Sequence, residues 1–192
     1  MAHDSTTAAP RQRIEVSEED LTESIPSELF REAFRLHPAG VAVVTADPGD
    51  GSVAMTVSSL ASASTAPPLL TFSVSALSSS SPALERVDTV VVHMLGAGQL
   101  WLARLGATSG IDRFADKSQW ARLPTGEPVF PAVHAWMRGR IVHRLAAGNS
   151  IICVVHVIGA HIVGSATDAA ANEPLVYHAR QWHRLDERST IE

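Results

Sequence analysis

The sequence predicts a mainly β domain, an antiparallel barrel or sandwich carrying a few short helices. Short β-branched runs recur along the chain, among them "GVAVVTA" at 40–46, "DTVVVHML" at 88–95 and "IICVVHVI" at 151–158. Turn formers separate them, as in Asp47-Pro48-Gly49-Asp50-Gly51 and Gly148-Asn149. Helical patterns between the runs are too few and too brief for a parallel, doubly wound sheet.

Taken in order, Ser24 or Ser27 is placed to cap a short helix through Leu29, Phe30, Ala33, Phe34 and Leu36, closed by His37-Pro38 and Gly40. "GVAVVTA" and "SVAMTVSS" (52–59) then form a hairpin. "PPLLTFSVS" (67–75) is a third strand, with Pro67 and Pro68 at its entry, where a missing amide donor does least harm. "SPALERV" (81–87) reads as a helix and "DTVVVHML" as a strand. Leu100, Leu102 and Leu105 give "GQLWLARLG" helical spacing, and 111–131 is loop-like. Two long strands, 134–148 and 149–164, meet at Gly148-Asn149, and "PLVYHARQWHRL" (174–185) closes the chain as a strand or a pair of half-strands.

With 192 residues, 45% of them apolar and 18% charged, the chain is long and apolar enough for one globular domain. Residues 1–24, with Glu15, Glu18, Glu19, Asp20 and Glu23, read as a solvated, flexible acidic arm, and 25–192 as the domain. A formal net charge of -5 argues against a nucleic-acid partner, which needs clustered Lys and Arg. No run has the length of a membrane span and no basic region precedes an apolar core, so a cytoplasmic protein without a membrane partner is expected. The single cysteine, Cys153, excludes an internal disulfide and any multi-cysteine zinc site.

Several motifs carry less than they suggest. "GAGQLW" from Gly96 lacks the third glycine of a dinucleotide fingerprint and reads as a turn with a helix start. His156 and His161, and His178 and His183, are five residues apart, which puts each pair on opposite faces of a regular strand; no metal is expected. Ser58 and Ser59 lack a Gly-x-Ser-x-Gly elbow. The segment 54–82 is the more informative one, because apolar residues interrupt its hydroxyls at nearly every step. Two readings stand for it: a neutral cradle for a phosphorylated, flat cofactor, or ordinary strand-edge and turn serines.

The order of motifs adds to this. "FREAFRLHPAGVAVVTA", "AMTVSSLASASTAPPLLTFSV" and "SSSSPALERVDTVVVHMLGAGQLWLARL" are followed by "DRF", Trp120, "TGEPVFPAV" and "PLVYHARQWHRL". Together they resemble the flavin reductase-like family from about Phe30 to Leu185. The resemblance implies an FMN-binding split β-barrel, antiparallel and Greek-key-like. It also implies a homodimer that binds FMN or FAD and takes hydride from NADH or NADPH. Reduced flavin would then pass by diffusion to a partner monooxygenase.

The same resemblance assigns residues. Thr56, Val57, Ser58 and Ser59 would lie along the isoalloxazine ring, with backbone amides at its polar edge. Ser78 and Ser80 would hold the flavin phosphate, flanking Ser79. Ser62 and Ser64, in the following turn, are lesser contacts, and Arg113 in the "RF" element would supply charge. No side chain is expected to act as catalytic acid or base, since hydride passes directly between stacked rings.

Four positions depart from the family pattern. Ser79 stands where an Arg or Lys is frequent, which removes a cation from the phosphate side. His93 replaces an Asn. On the nicotinamide side, Gly148-Asn149-Ser150 replaces Gly-Asp-His, and Val155-His156 replaces Gly-Glu. The implied effect is a higher nicotinamide KM, or a protein that binds flavin without reducing it.

Overall fold

The computed structural model describes residues 11–14, 16–163 and 173–191. In chain order these hold β1 (Arg11–Ile14), α1 (Glu18–Thr22), α2 (Ser27–Arg35), β2 (Ala39–Gly40), β3 (Ala42–Ala46), β4 (Val53–Val57), β5 (Ala61–Thr65), β6 (Pro68–Ser75) and α3 (Ser81–Arg86). Then follow β7 (Thr89–Met94), α4 (Leu100–Ala107), β8 (Ala121–Arg122), β9 (Pro128–Val129), β10 (Ala135–Ala147), β11 (Ser150–Ile162), β12 (Leu175–His178) and β13 (Gln181–Arg184).

The main sheet has eight strands in the order β4-β3-β7-β10-β11-β6-β5, with β1 beside β10. Only β1 runs parallel to its neighbour. The mainly antiparallel β class and the two long strands are as the sequence predicts. β3 is buried along its whole length because it faces a core on each side. Its alternation sends Val44 to a cluster with Phe72, Val92 and Val155, and Val43 to a second with Leu102, Phe114 and Phe130. Each such valine is worth about 1.5–3 kcal/mol when fully buried. The second cluster is capped by α4 and by a small sheet of β13, β12 and β2.

Two buried polar groups fasten the long 111–133 connection to the sheet. His93, fully buried on β7, accepts at Nε2 from the Phe130 N–H at 3.0 Å. The proton is therefore on Nδ1, which donates to the Val43 carbonyl at 3.0 Å. Burial pushes this imidazole down to about 4, although the bond to Val43 favours the charged form. Glu127 accepts from Arg138 at 2.8 Å, from Thr89 at 2.5 Å and from Thr125. Burial alone would raise its carboxyl, but hydrogen bonds from Arg138, Thr125 and Thr89 outweigh it and hold it at about 2. Burial moves the Cys153 thiol the other way, up to about 11, so little reactive thiolate forms there near neutral pH.

Several local expectations need correction. The cap of α2 is Pro26, with Ser27 as its first helical residue, so neither Ser24 nor Ser27 caps it. Instead Ser27 Oγ accepts from Arg31 at 3.0 Å. Residues 61–65 are a strand rather than a turn, and β8 and β9 form a short ladder inside the expected loop. His178 and His183 do not lie apart. A turn at Ala179-Arg180 folds the strand back, and their rings come within 5.7 Å. Within the N-terminal stretch, Arg11–Ile14 pairs with Arg144–Ala147 and Ser17 caps α1 through a reciprocal bond with Asp20. Residues 1–10 and Glu15 of the expected arm, and Gly164 at the end of the expected strand, lie outside the described residues. No helix among the described residues is long and apolar enough to cross a membrane.

Candidate functional site

β4 ends the main sheet, so its outward peptide groups face no neighbouring strand. Thr56 and Val57 sit at its last two positions, and Ser58 and Ser59 run on beyond it. Val57 points into the first core cluster and is 6% exposed, so it contributes backbone rather than side chain to any ligand. Thr56 Oγ1 donates to the Ala103 carbonyl of α4 at 2.6 Å. Gly106 makes this contact possible, since a Cβ there would lie 2.5 Å from Thr56 Oγ1. Ser59 Oγ accepts from the Ser73 N–H at 2.8 Å and donates to the Ser73 carbonyl at 3.1 Å. That hydroxyl replaces a strand partner and ties the end of β4 to β6 at the other side of the sheet.

Thr56 and Ser58 open into a cavity of about 240 Å³ shared with Val41, Ala107, Tyr177 and Trp182. Apolar and aromatic walls with the hydroxyls of Thr56, Ser58 and Tyr177 suit a flat heterocycle. Residues 56–59, the segment expected to lie along a flat ring, thus have an apolar and aromatic pocket beside them.

Ser62 and Ser64 are elsewhere. They line a separate cavity of about 460 Å³ with Leu60, Leu70, Met94, Met137 and Val157. A bulge at Ala63 interrupts their pairing with β6, and Ser64 Oγ accepts from the Ala66 N–H at 3.2 Å. Arg113 is also apart, in a third cavity with Trp101, Leu105, Asp112, Asp116 and Gln119. Its guanidinium donates to the carbonyls of Leu105 at 3.3 Å and Thr108 at 2.6 Å, which fastens the loop to the end of α4.

Ser78, Ser79 and Ser80 form the turn between β6 and α3. The Ser78 N–H donates to Ser75 O at 2.9 Å, and Ser78 Oγ accepts from the Ser80 N–H at 3.3 Å. Ser79 is exposed, Ser78 half-buried, and Ser80 buried at 2% exposure. Arg144 holds the far end of α3 by donating to the carbonyls of Leu84 and Val87. The cation on α3, Arg86, is paired with Asp50 at 2.8 Å and 3.0 Å.

Gly148-Asn149-Ser150 is brought to this same turn. Ser150 pairs with Ser75, and the Ala76 N–H donates to Asn149 O at 2.9 Å. Gly148 has φ +58°, at the first central position of a two-residue hairpin, where type II′ geometry calls for glycine. Two segments some seventy residues apart in sequence are therefore adjacent in space.

The family model described as "Flavin reductase like domain" matches residues 34–186. The chain belongs to the flavin reductase-like family. This flavin reductase-like chain is 41% identical over 155 residues to an NADH:FMN oxidoreductase of Rhodococcus erythropolis, covering 81% of the chain and 80% of that protein. Among solved structures it resembles a flavin reductase domain protein from Arthrobacter sp. FB24, with TM-score 0.77, 32% identity, and coverage of 84% and 96%. It also resembles the NADH:FAD oxidoreductase SgcE6 of Streptomyces globisporus C-1027, solved with NAD and FAD fragments, with TM-score 0.74, 26% identity, and coverage of 92% and 99%.

Sequence reasoning missed Val41, Ala107, Tyr177 and Trp182 as cavity residues of this family member. The aromatic pair had a usable signal, because residues 177 and 182 become directly opposite once 179–180 is a two-residue turn. Ala179-Arg180 contains no glycine or asparagine to mark that turn.

Proposed function

We propose that this protein is an NAD(P)H:flavin oxidoreductase that reduces FMN or FAD and supplies reduced flavin to a partner monooxygenase. Bound flavin accepts a hydride from nicotinamide C4 and carries it away in reduced form. The observation that carries the reading is the cavity beside Thr56 and Ser58, placed where the family resemblance puts the isoalloxazine ring.

In this reading the outward peptide groups of residues 56–59 hold the polar edge of the ring, and N–H donors there favour the negative charge that develops on reduction. Val41 and Ala107 give the ring a dry wall. Ser78, Ser79 and Ser80 form the phosphate side, Ser80 through its backbone because its side chain is buried, whereas Ser62, Ser64 and Arg113 line other cavities and are left out of the contact set. Gly148, Asn149 and Ser150 receive the nicotinamide nucleotide, and their adjacency to the serine turn supports one continuous groove. No side chain acts as catalytic acid or base, and no metal takes part.

The reading extends to a cytoplasmic split-barrel homodimer, with residues 25–192 as the domain and 1–24 as an appended arm. The apolar face of α2 supports a second copy as its cover: Leu29, Phe30 and Phe34 are each more than half exposed. A second functional reading is a flavin-binding protein without reductase activity. What favours it is Gly148-Asn149-Ser150, which offers neither an acid nor an imidazole.

Steady-state oxidation of NADH and NADPH, with FMN or FAD present, separates the two. Protein- and flavin-dependent oxidation of either nucleotide supports the reductase, whereas tight flavin binding with neither nucleotide oxidised supports the second reading. Asn149→Asp with Ser150→His should lower the nicotinamide KM; an unchanged KM shows that this turn does not limit nucleotide use.

A further inference from the structure

The C-terminal hairpin brings two aromatic rings to the cavity that Thr56 and Ser58 also line. Tyr177 on β12 and Trp182 on β13 are direct partners across the hairpin, with ring centroids 4.7 Å apart and planes inclined by 57°. Both line the cavity together with Thr56 and Ser58. Both are half-buried and pack against the second core cluster, so neither ring is free to swing away. Among the described residues, neither the Tyr177 hydroxyl nor the Trp182 indole N–H has a hydrogen-bond partner, and both polar tips remain available to a ligand.

The backbone behind the rings is tightly specified. Ala179 and Arg180 have φ of 49° and 63°, in the left-handed region that non-glycine residues rarely enter. This two-residue turn sets the register that makes Tyr177 and Trp182 opposite. Ala39 pairs with Tyr177, and the Ala179 N–H donates to the Arg35 carbonyl at 3.0 Å, so both ends of the hairpin are held. Strain retained by surrounding contacts is characteristic of ligand clamps.

We propose that Trp182, braced by Tyr177, is the aromatic wall of the flavin pocket, with its indole lying against the isoalloxazine opposite residues 56–59 and selecting for that flat ring system. The proposal rests on the reading that flavin occupies the cavity at Thr56 and Ser58. An indole presents a large, rigid, electron-rich surface, and oxidised flavin is an electron-poor heterocycle of matching flatness. Stacking of this kind is worth about a tenfold change in affinity when the ring is truncated to alanine.

The test is a titration of the full chain with FMN, following the fluorescence of the flavin itself. Trp182→Ala should weaken FMN binding about tenfold. Trp182→Phe keeps a ring packed on Tyr177, so it should recover most of the affinity, while flavin bound to it is quenched less than in the wild-type protein because the indole is gone. Ser58→Trp, which fills the cavity from the β4 side, reports on the underlying reading. If Ser58→Trp abolishes binding but both Trp182 variants bind and quench FMN like the wild type, flavin uses the cavity without this wall and the proposal is overturned. If Ser58→Trp leaves binding intact, flavin is not in this cavity, and the reading and the proposal fall together. Should Trp182→Ala unfold, the quenching of FMN bound to Trp182→Phe still decides: unchanged quenching refutes contact with the indole.

Discussion

Lowering the pH from 7 to 4.5 removes about 2–3 kcal/mol of stability through His93 alone, given an imidazole held at about 4 when folded against about 6.5 when unfolded. The folded pKa is depressed, so the unfolded chain binds the proton more readily. The stability is fully present above 6.5 and is lost as pH falls toward 4. Protonation also destroys the acceptor at Nε2, leaving the Phe130 N–H facing an N–H, and it puts a charge between two buried backbone segments. The assay is urea unfolding at a series of pH values, on the wild type and on His93→Asn. Asparagine keeps an amide N–H donor and a carbonyl acceptor without a titration, so its stability should change by about 2–3 kcal/mol less between pH 7 and 4.5. Equal pH dependence of the two proteins refutes the assignment of His93 as a buried neutral latch.

Three further outcomes follow from the same structure. Arg180→Gly should raise stability by up to about 1 kcal/mol, seen as a higher urea midpoint with an unchanged slope, because φ of 63° costs an L-residue about 1–2 kcal/mol and glycine's greater freedom in the unfolded chain offsets part of it; a loss of stability would show that the arginine side chain matters more than its backbone. Gly106→Ala puts a Cβ 2.5 Å from Thr56 Oγ1 and 3.0 Å from Thr56 N, so α4 must move off β4. We expect a loss of about 1–3 kcal/mol and weaker FMN binding, measured by unfolding and by flavin titration, and neither change would occur if the helix shifts freely. Glu127→Gln should cost about 1–3 kcal/mol at pH 7 and abolish the part of acid unfolding between pH 4.5 and 2, where the unfolded chain's carboxyl takes up a proton that the folded one, held by Arg138, does not.

Large β-branched runs made most of the fold legible. Val41–Ala46, Thr89–Met94 and the long pair around Gly148 carry enough buried valine and isoleucine to identify themselves. "ASAST" at 61–65 did not, because an exposed edge strand of small residues has neither alternation nor bulk. The cap of α2 failed for a related reason: Ser24 and Ser27 are both capping residues by type, but Pro26 between them fixes where the helix begins. At the site, the hydroxyl-rich segment was visible as chemistry but not as geometry. Ser59 spends its hydroxyl closing the sheet, Ser62 and Ser64 line another cavity, and Arg113 is tied to a helix end. The aromatic pair was hidden because residues 177 and 182 become neighbours only through a turn that lacks glycine.

The proposed reaction is the transfer of a hydride from a nicotinamide to a flavin. Its most direct test is anaerobic: FMN is mixed with NADH, with and without the protein, and bleaching of the oxidised flavin is followed as the nicotinamide band disappears. Hydride transfer gives protein-dependent bleaching matched mole for mole by NADH oxidation, slowed when the transferred hydrogen at nicotinamide C4 is deuterium. Flavin that binds yet stays oxidised with either NADH or NADPH contradicts it.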